Sequence, residues 1–210
     1  MSDARLRVLE RRWRETGAVA DEAAWIIERL RVGDVIRERV RAAAILGYPA
    51  ATMVMTHRKH HKRSFMHALK VHGVGSQGWV RALVVILRRI CDHFRFSPRP
   101  ALIIEILQLA WVWSNNPESE VVPSRAWNLG NQSGITACGL TGMPDEVAFR
   151  FAAVLATFLR RPSNDFHYDL QQFILHYGGR SGVPFLVSGG MQAMLEPVLG
   201  AWLLGYSDPL

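Results

Sequence analysis

Residues 102–113, LIIEILQLAWVW, decide between a helical and a sheet-containing fold. The first six residues, LIIEIL, have the apolar and β-branched composition of a buried strand. Leu102, Ile106, Leu109 and Trp113 nevertheless recur at intervals of three and four residues, which is the period of an α-helix. No partner strand follows in the sequence, so the stretch predicts a helix.

The preceding stretch has the same helical period. Residues 76–94, SQGWVRALVVILRRICDHF, carry one apolar stripe made of Trp79, Leu83, Ile86, Ile90 and Phe94. This spacing predicts a second helix, with Ser76 as its N-cap and with Arg81 and Arg88 on the opposite side. Pro98 and Pro100 separate the two helices, because proline lacks the N–H that a helix interior needs.

The first fifty residues predict four helices joined by short turns. Gly17, Gly33 and Gly47 each follow an apolar stripe, at the position where a left-handed residue commonly ends a helix. Asp34 is suited to cap the third helix and Pro49 to begin the fourth, since the first helical residue has no N–H partner to lose. We expect the fourth helix to continue to about residue 71.

Residues 9–51, LERRWRETGAVADEAAWIIERLRVGDVIRERVRAAAILGYPAA, resemble the N-terminal segment of a group of uncharacterised bacterial α-helical proteins. Within them the element LGYPAA, residues 46–51, is similar to the joint of a SEL1 or tetratricopeptide-type helical hairpin. The likeness covers residues 5–51. It implies a helical-hairpin fold and an interaction function, since helical-hairpin repeats generally form protein-binding scaffolds.

The C-terminal half also predicts helices, interrupted by one irregular region. Gly130, Gly134, Gly139 and Gly142 punctuate an uncharged run and predict a Gly-rich loop over residues 130–142. The predicted fold class is therefore all-α, either an irregular helical bundle or a helical-hairpin array. Gly73-Val74-Gly75 separates a basic N-terminal region, residues 1–73, from a C-terminal bundle, residues 76–210, although the two could form one continuous domain.

The charges are distributed unevenly along the chain. The net charge is +7, from 25 Lys and Arg against 18 Asp and Glu. Residues 1–99 hold twenty Lys/Arg and nine Asp/Glu, whereas residues 100–210 hold five and nine. Such an asymmetry indicates a surface for an anionic partner, or else a solvated basic face or one that meets the chain's own acidic half.

The basic residues are densest in residues 55–73, MTHRKHHKRSFMHALKVHG. The predicted binding residues are Arg58, Lys59, His60, His61, Lys62, Arg63, Lys70, Arg81 and Arg88. On a helix, Arg58/Lys62 and Lys59/Arg63 would be like-charged neighbours that repel each other and destabilise the helix. Binding of an anionic partner would relieve this repulsion. An acidic protein surface, nucleic acid or anionic lipid headgroups would supply the opposite charge, but no motif for reading bases accompanies the patch.

The histidines of this stretch are weak metal candidates. His57, His60 and His61 share one face of a helix, and His57 and His61 could both reach one metal ion. The flanking cations would repel such an ion, HEXXH is absent, and no carboxylate lies nearby in sequence to orient an imidazole ring. No metal and no cofactor is therefore predicted.

Motifs for catalysis are absent from the sequence. There is no GxSxG elbow, no Walker A motif and no GxGxxG after a strand. His167 lies between Asp165 and Asp169, but helical spacing puts it on a different face from both carboxylates. An enzyme with a site in the Gly-rich loop 130–142, or near His167, is the third hypothesis.

Residues 184–206 form an apolar segment whose one charge is Glu196. Its length approaches that of a membrane span, but Glu196, Pro197 and several small residues argue against one. A buried helix is the first interpretation and a surface for homo-oligomerisation the second. The charged N-terminus without an apolar run predicts no signal peptide, and two widely separated cysteines suit a cytoplasmic protein.

The function that these features favour is a non-enzymatic interaction or scaffold module. It would bind an acidic protein partner through its basic N-terminal face. The alternative is a nucleic-acid-binding protein that uses the same face, with salt-sensitive, sequence-independent contacts to phosphates.

Overall fold

Helices form all the regular structure in the part of the chain that the computed structural model describes. The described residues are 2–55, 75–96, 100–117, 121–140, 144–160, 170, 173 and 188–206. The helices are α1 (Ser2–Thr16), α2 (Val19–Val32), α3 (Arg37–Leu46), α4 (Pro49–Met55), α5 (Gly75–His93), α6 (Ala101–Asn115), α7 (Val121–Gly139), α8 (Pro144–Arg160), α9 (Ser188–Leu195), a π-helical segment (Glu196–Gly200) and α10 (Ala201–Leu203). The prediction of an all-α fold is confirmed.

The chain divides into two compact units. The first unit contains Met1–Val74 and Leu195–Leu210, and the second contains Gly75–Met194. Residues 195–210 follow the C-terminal bundle in sequence, but their packing groups them with α1–α4. The division into separate domains at residues 1–73 and 76–210 stays a prediction.

Glycines end three helices of the first unit, as the sequence predicts. Gly17, with φ 61°, follows α1. Gly33, with φ 80°, follows α2, and Gly47, with φ 96°, follows α3; both conformations are left-handed and suit glycine. Asp34 does not cap α3, which begins at Arg37. Its carboxylate instead accepts a hydrogen bond from Arg29 Nε at 2.5 Å, because a charged donor attracts it more strongly than the neutral N–H groups of a helix end.

Two segments of the chain share the core of the first unit. α2 packs against α1 and α4, and α3 packs against α4, the π-helical segment and α10. The buried apolar side chains of these elements include Ile26, Val40, Ala43, Leu46, Ala50, Ala51, Leu199 and Leu203. The alanines let the helices approach closely, and the larger aliphatic side chains remove apolar surface from water.

α5 belongs to the second unit and buries most of its residues between Gly78 and Cys91. It packs against α6 and α8, which also pack against each other. Residues 80–84, 86 and 87 are all buried, so α5 has no broad solvent-facing side along this length. Residues 102–107 belong to α6 rather than to a strand, and Ile106, Leu109 and Trp113 of its predicted stripe are buried.

Residues 130–139 form the end of helix α7, which corrects the predicted Gly-rich loop. α7 packs against α8, and small residues lie along α7 at helical spacing: Ala126, Ser133 and Ala137 are buried, and Gly130 lies among them. A Cβ added at Gly130 would lie 3.2 Å from Ala156 Cβ, so this glycine lets two helices approach closely. In sequence, glycine at a helix contact looks the same as glycine in a turn. Residues 141–143 lie outside the described part.

Pro197 coincides with a change of helix type. α9 ends at Leu195, and Glu196–Gly200 follow as a π-helix before α10. Proline lacks an N–H and its ring collides with the preceding turn, and a widened π turn accommodates both effects. None of the described helices, this region included, combines the length with the apolar content that crossing a membrane requires.

Candidate functional site

The centre of the predicted basic surface lies outside the described residues. This applies to His57 and to seven of the nine predicted binding residues, Arg58, Lys59, His60, His61, Lys62, Arg63 and Lys70. Their role in binding stays a prediction from the sequence. His167, the histidine considered for catalysis, also lies outside the described part.

The other two predicted binding residues lie in α5 and differ in exposure. Arg81 is buried, with 6% of its surface exposed, although its place opposite the apolar stripe predicts exposure. Its Nη2 donates to Asn115 Oδ1 at 3.4 Å, and its guanidinium lies 5.6 Å from the centroid of the Trp111 ring. Both partners belong to α6, which covers this side of α5. Arg88 is half-buried, and Arg89 beside it is exposed.

Ion pairs neutralise much of the positive charge in α1 and α2. The pairs include, with their N–O distances, Arg12–Asp21 (2.8 Å), Arg14–Glu10 (2.5 Å), Arg29–Asp34 (2.5 Å), Arg31–Glu28 (2.6 Å) and Arg5–Glu28 (3.6 Å). Residues 2–55 hold ten Lys/Arg against eight Asp/Glu, whereas residues 56–99 hold ten against one. The excess of positive charge in the N-terminal half therefore lies after α4.

Glu28 receives two of these arginines, although its own side chain is 3% exposed. The hydrogen bond from Arg31 lowers the pKa of Glu28; burial opposes this effect, and the charges of Arg31 and Arg5 reinforce it. A carboxyl whose pKa is lower in the folded state stabilises the fold above its unfolded pKa. That contribution is lost as the pH falls through the folded pKa, so acid weakens the α1–α2 packing.

A second polar site, which the sequence does not reveal, surrounds Glu22 in the first unit. Glu22 lies in α2 and is buried. The hydroxyl of Tyr48, at the joint between α3 and α4, donates to Glu22 Oε1 at 2.9 Å, and the hydroxyl of Tyr206 donates to the same oxygen at 2.6 Å. We call these three residues the Glu22 cluster. One carboxylate thus joins α2, the α3–α4 joint and Tyr206, three residues after the end of α10.

Aromatic rings and a buried guanidinium surround Tyr206. Its ring centroid lies 5.2 Å from that of Trp13 and 5.5 Å from that of Trp25. The Arg29 guanidinium lies 4.7 Å from the Trp25 centroid and 5.9 Å from the Tyr206 centroid, within the range of cation–π attraction. Arg29 also donates to the main-chain carbonyl oxygen of Leu204. These contacts offset the free-energy cost of removing the guanidinium from water.

The Glu22 cluster is suited to holding chain segments together. Burial raises the pKa of Tyr48 and of Tyr206, and the Glu22 carboxylate raises both further. Both phenols consequently stay protonated and donate to Glu22 rather than act as bases. Within the described residues, no three His, Cys, Asp or Glu side chains lie together in a way that could hold a metal ion.

Glu196, in the π-helical segment, gives a pH-dependent prediction, because burial raises the pKa of its carboxyl. Such a group stabilises the fold below its unfolded pKa, and this contribution is lost as the pH rises through the folded pKa. We expect Glu196→Gln to raise the free energy of unfolding at neutral pH by up to about 1 kcal/mol, since the amide buries no charge.

Thermal unfolding of the wild type and of Glu196→Gln across a pH series checks this expectation. The advantage of the variant should shrink toward about pH 4, where the wild-type carboxyl is itself protonated. If Glu196→Gln is more stable than the wild type by the same amount at both ends of the pH series, the gain arises from packing and not from charge. That result would contradict the prediction.

The Glu22 cluster has no signal in the sequence because its members are far apart. Glu22 and Asp21 resemble the ordinary acids of a helix's first turn, which the helix dipole favours. Tyr206 is 184 residues from Glu22, whereas spacing patterns reveal only neighbours a few residues apart.

No protein-family model matches this chain, and no curated protein or solved structure is significantly similar to it. The likeness of residues 5–51 to bacterial helical-hairpin proteins accordingly remains a prediction.

Proposed function

We propose that this chain is a non-enzymatic interaction module that binds an acidic surface of a partner protein. The cationic segment, which we define as residues 56–74, makes the contact. The observation that carries the proposal is the charge of the cationic segment, which holds five Lys/Arg and no Asp/Glu, next to a nearly balanced ratio of ten to eight in residues 2–55. Positive charge without acids nearby attracts an anionic surface over a distance of about 10 Å at ordinary salt concentrations.

The described arginines of α5 add little to this surface. Arg81 is buried, and Arg88 and Arg89 lie in the last two turns of α5, near the end where positive charge is favoured by the helix dipole. The proposal therefore depends on five residues of the cationic segment, Arg58, Lys59, Lys62, Arg63 and Lys70.

A protein partner is favoured over nucleic acid by two features. The likeness of residues 5–51 to SEL1 and tetratricopeptide hairpins implies a protein-binding scaffold, and α1 packs against α2 and α3 against α4, as neighbouring helices of such hairpins do. The sequence also contains no motif that reads bases. Two cysteines far apart in the sequence, Cys91 and Cys138, suit the reducing cytoplasm, where we place the module.

The test compares two variants that lose the same charge. Arg58, Lys59, Lys62 and Arg63 are replaced by Gln in the first, and Arg7, Arg11, Arg12 and Arg14 of α1 in the control. Fluorescence anisotropy measures binding of a labelled Glu-rich peptide and of a labelled DNA duplex of equal charge, at low and at moderate salt. We expect the first variant to bind the peptide about tenfold more weakly or worse, and the control to bind nearly as well as the wild type.

The outcomes separate the candidate functions. Tighter binding of the duplex than of the peptide, with a steep dependence on salt, would replace the proposal by nucleic-acid binding. If both variants bind the peptide equally weakly, the effect is one of net charge. That result would reject the cationic segment as the binding site. A large fall in the melting temperature of the first variant would show that the segment pairs with acidic residues of its own chain.

A further inference from the structure

The ends of α2, α3, α5 and α10 share one backbone arrangement. In each, two successive N–H groups donate back to carbonyl oxygens three and five residues earlier, which is a common way to end a helix. The first of the two N–H groups belongs to a residue with a positive φ. That residue is Gly33, Gly47 and Gly205 after α2, α3 and α10, but it is Arg95, with φ 54°, after α5.

Arg95 is the one residue other than glycine that has a positive φ in the described part of the chain. This conformation is unfavourable for arginine, because the Cβ of an L-residue then crowds its own backbone, and glycine has no such atom. The chain meets the same backbone requirement with glycine at the three other caps. An unfavourable conformation that is kept at one position points to a use for the side chain there.

The Arg95 side chain has no use within the described fold. It is exposed, and it makes no hydrogen bond or ion pair with another residue of the described ranges. Replacing it would therefore remove no contact that holds these helices together. A guanidinium of this kind is directed at an anion outside the described fold.

Two further arginines lie next to this cap. Arg88 and Arg89 belong to the last two turns of α5, within about 10 Å of Arg95 along the helix axis. Arg89 is exposed and Arg88 is half-buried, and Asp92 is the one carboxylate among residues 88–96. Charges at such separations act together at ordinary salt concentrations. We call Arg88, Arg89 and Arg95 the arginine cluster.

We propose that the arginine cluster, with Arg95 as its principal residue, binds carboxylates of an acidic segment of a partner protein. The planar guanidinium matches a carboxylate with two parallel hydrogen bonds. Single-stranded nucleic acid is less suited, because bases stack on open aromatic faces. The ring of Phe94 is half-buried, and the His93 and Phe96 rings lie against it, with centroids 5.1 and 6.3 Å away.

The choice of an acidic protein as the partner rests on the proposed function, but the arginine cluster does not include the cationic segment. The two sites are therefore tested separately. The full-length variant in which Arg58, Lys59, Lys62 and Arg63 are replaced by Gln serves as the starting protein. Fluorescence anisotropy measures its binding of the labelled Glu-rich peptide at low salt, before and after Arg95 is changed.

Arg95→Gly should raise stability and weaken binding at the same time. We expect the melting temperature to rise by about 2–4 °C, because glycine adopts the left-handed conformation freely. We expect the peptide to bind about fivefold more weakly, because one charged contact is lost. Arg95→Asn should act in the same direction, since asparagine tolerates this conformation and carries no charge. Arg11→Gln removes the same charge from exposed α1 and should change neither property.

The opposite signs of the two effects make the proposal falsifiable. A raised melting temperature with unchanged peptide binding would overturn it, because Arg95 would then be an unfavourable residue without a use. A lowered melting temperature would also overturn it, since the side chain would then support the fold. Tighter binding of a labelled single-stranded DNA than of the peptide would replace carboxylates by phosphates as the ligand. If the starting protein binds no peptide although the wild type does, the arginine cluster is rejected and the proposed function stands.

Discussion

Glu22→Ala should lower the free energy of unfolding by about 2–5 kcal/mol, the largest effect that we expect from one substitution in the first unit. The Tyr48 and Tyr206 hydroxyls both donate to Glu22 Oε1. Removal of the carboxylate leaves two half-buried phenols without this acceptor, and each costs roughly 1–3 kcal/mol when water cannot replace it. The loss is larger than that of a single hydrogen bond because one acceptor serves both donors.

Urea unfolding followed by circular dichroism measures this effect, and hydrogen exchange of α2 peptides assigns it to the first unit. Glu15→Ala is the matched control, because Glu15 is an exposed glutamate of the neighbouring helix α1. The control should change stability by less than about 0.5 kcal/mol. Equal effects of the two substitutions would mean that water already solvates both phenols.

Single substitutions of the donors refine the same prediction. Tyr48→Phe and Tyr206→Phe each remove one hydroxyl and leave the other donor bonded to Glu22, so each should cost about 1 kcal/mol. Their effects should not add, because the two hydroxyls share one oxygen atom. A double variant that loses the plain sum of the two single losses would argue against the shared acceptor.

Gly200→Ala and Gly134→Ala should change stability in opposite directions, although both replace a helical glycine by alanine. At Gly200 the new Cβ would overlap the ring of Tyr48, so the ring or the backbone must move, at a cost of about 1–3 kcal/mol. At Gly134 nothing lies within 4 Å of the new Cβ, so the higher helix propensity of alanine should stabilise α7 by about 0.5–1 kcal/mol.

The melting temperatures of Gly200→Ala, Gly134→Ala and the wild type, measured under identical conditions, check both predictions. Tyr48→Ala combined with Gly200→Ala separates steric overlap from other causes, since removal of the ring should recover part of the loss at Gly200. A neutral Gly200→Ala would show that Tyr48 moves aside freely, and a destabilised Gly134→Ala would show that α7 depends on its glycine for a reason other than space.

The helices follow from the sequence because their signals are local. Leu102, Ile106, Leu109 and Trp113 predict α6 through spacing alone, and Gly33 marks the end of α2 where a left-handed residue is needed. These patterns depend on residues at most a few positions apart. α8 carries a local signal of the same kind, with Asp145 and Glu146 in its first turn and Arg160 in its last.

The sequence misleads where a residue type has two structural uses. Glycine serves turns and close helix contacts alike, so residues 130–139 predict a loop although they form part of α7. Arginine commonly faces solvent, yet Arg81 is enclosed because α6 covers the side of α5 opposite the predicted stripe. Tertiary packing, which spacing does not reveal, decides both cases.

The two candidate sites also differ in whether the sequence alone reveals them. The positive charge of residues 56–99 is a property of composition and is visible in the sequence. The Glu22 cluster depends on a contact across 184 residues and becomes visible only in the fold.

The composition of the first unit from two separated segments sets an order of events during synthesis. The 120 residues Gly75–Met194 leave the ribosome between Val74 and Leu195. At a translation rate of about 5–20 residues per second, this interval lasts roughly 6–24 s. Throughout that time Trp25, Arg29 and Glu22 have no C-terminal segment to cover them, and the second unit completes its sequence before the first unit does. The aromatic and charged surface of the nascent N-terminal helices therefore stays exposed during this interval. A chaperone that protects this surface has to bind it in that time.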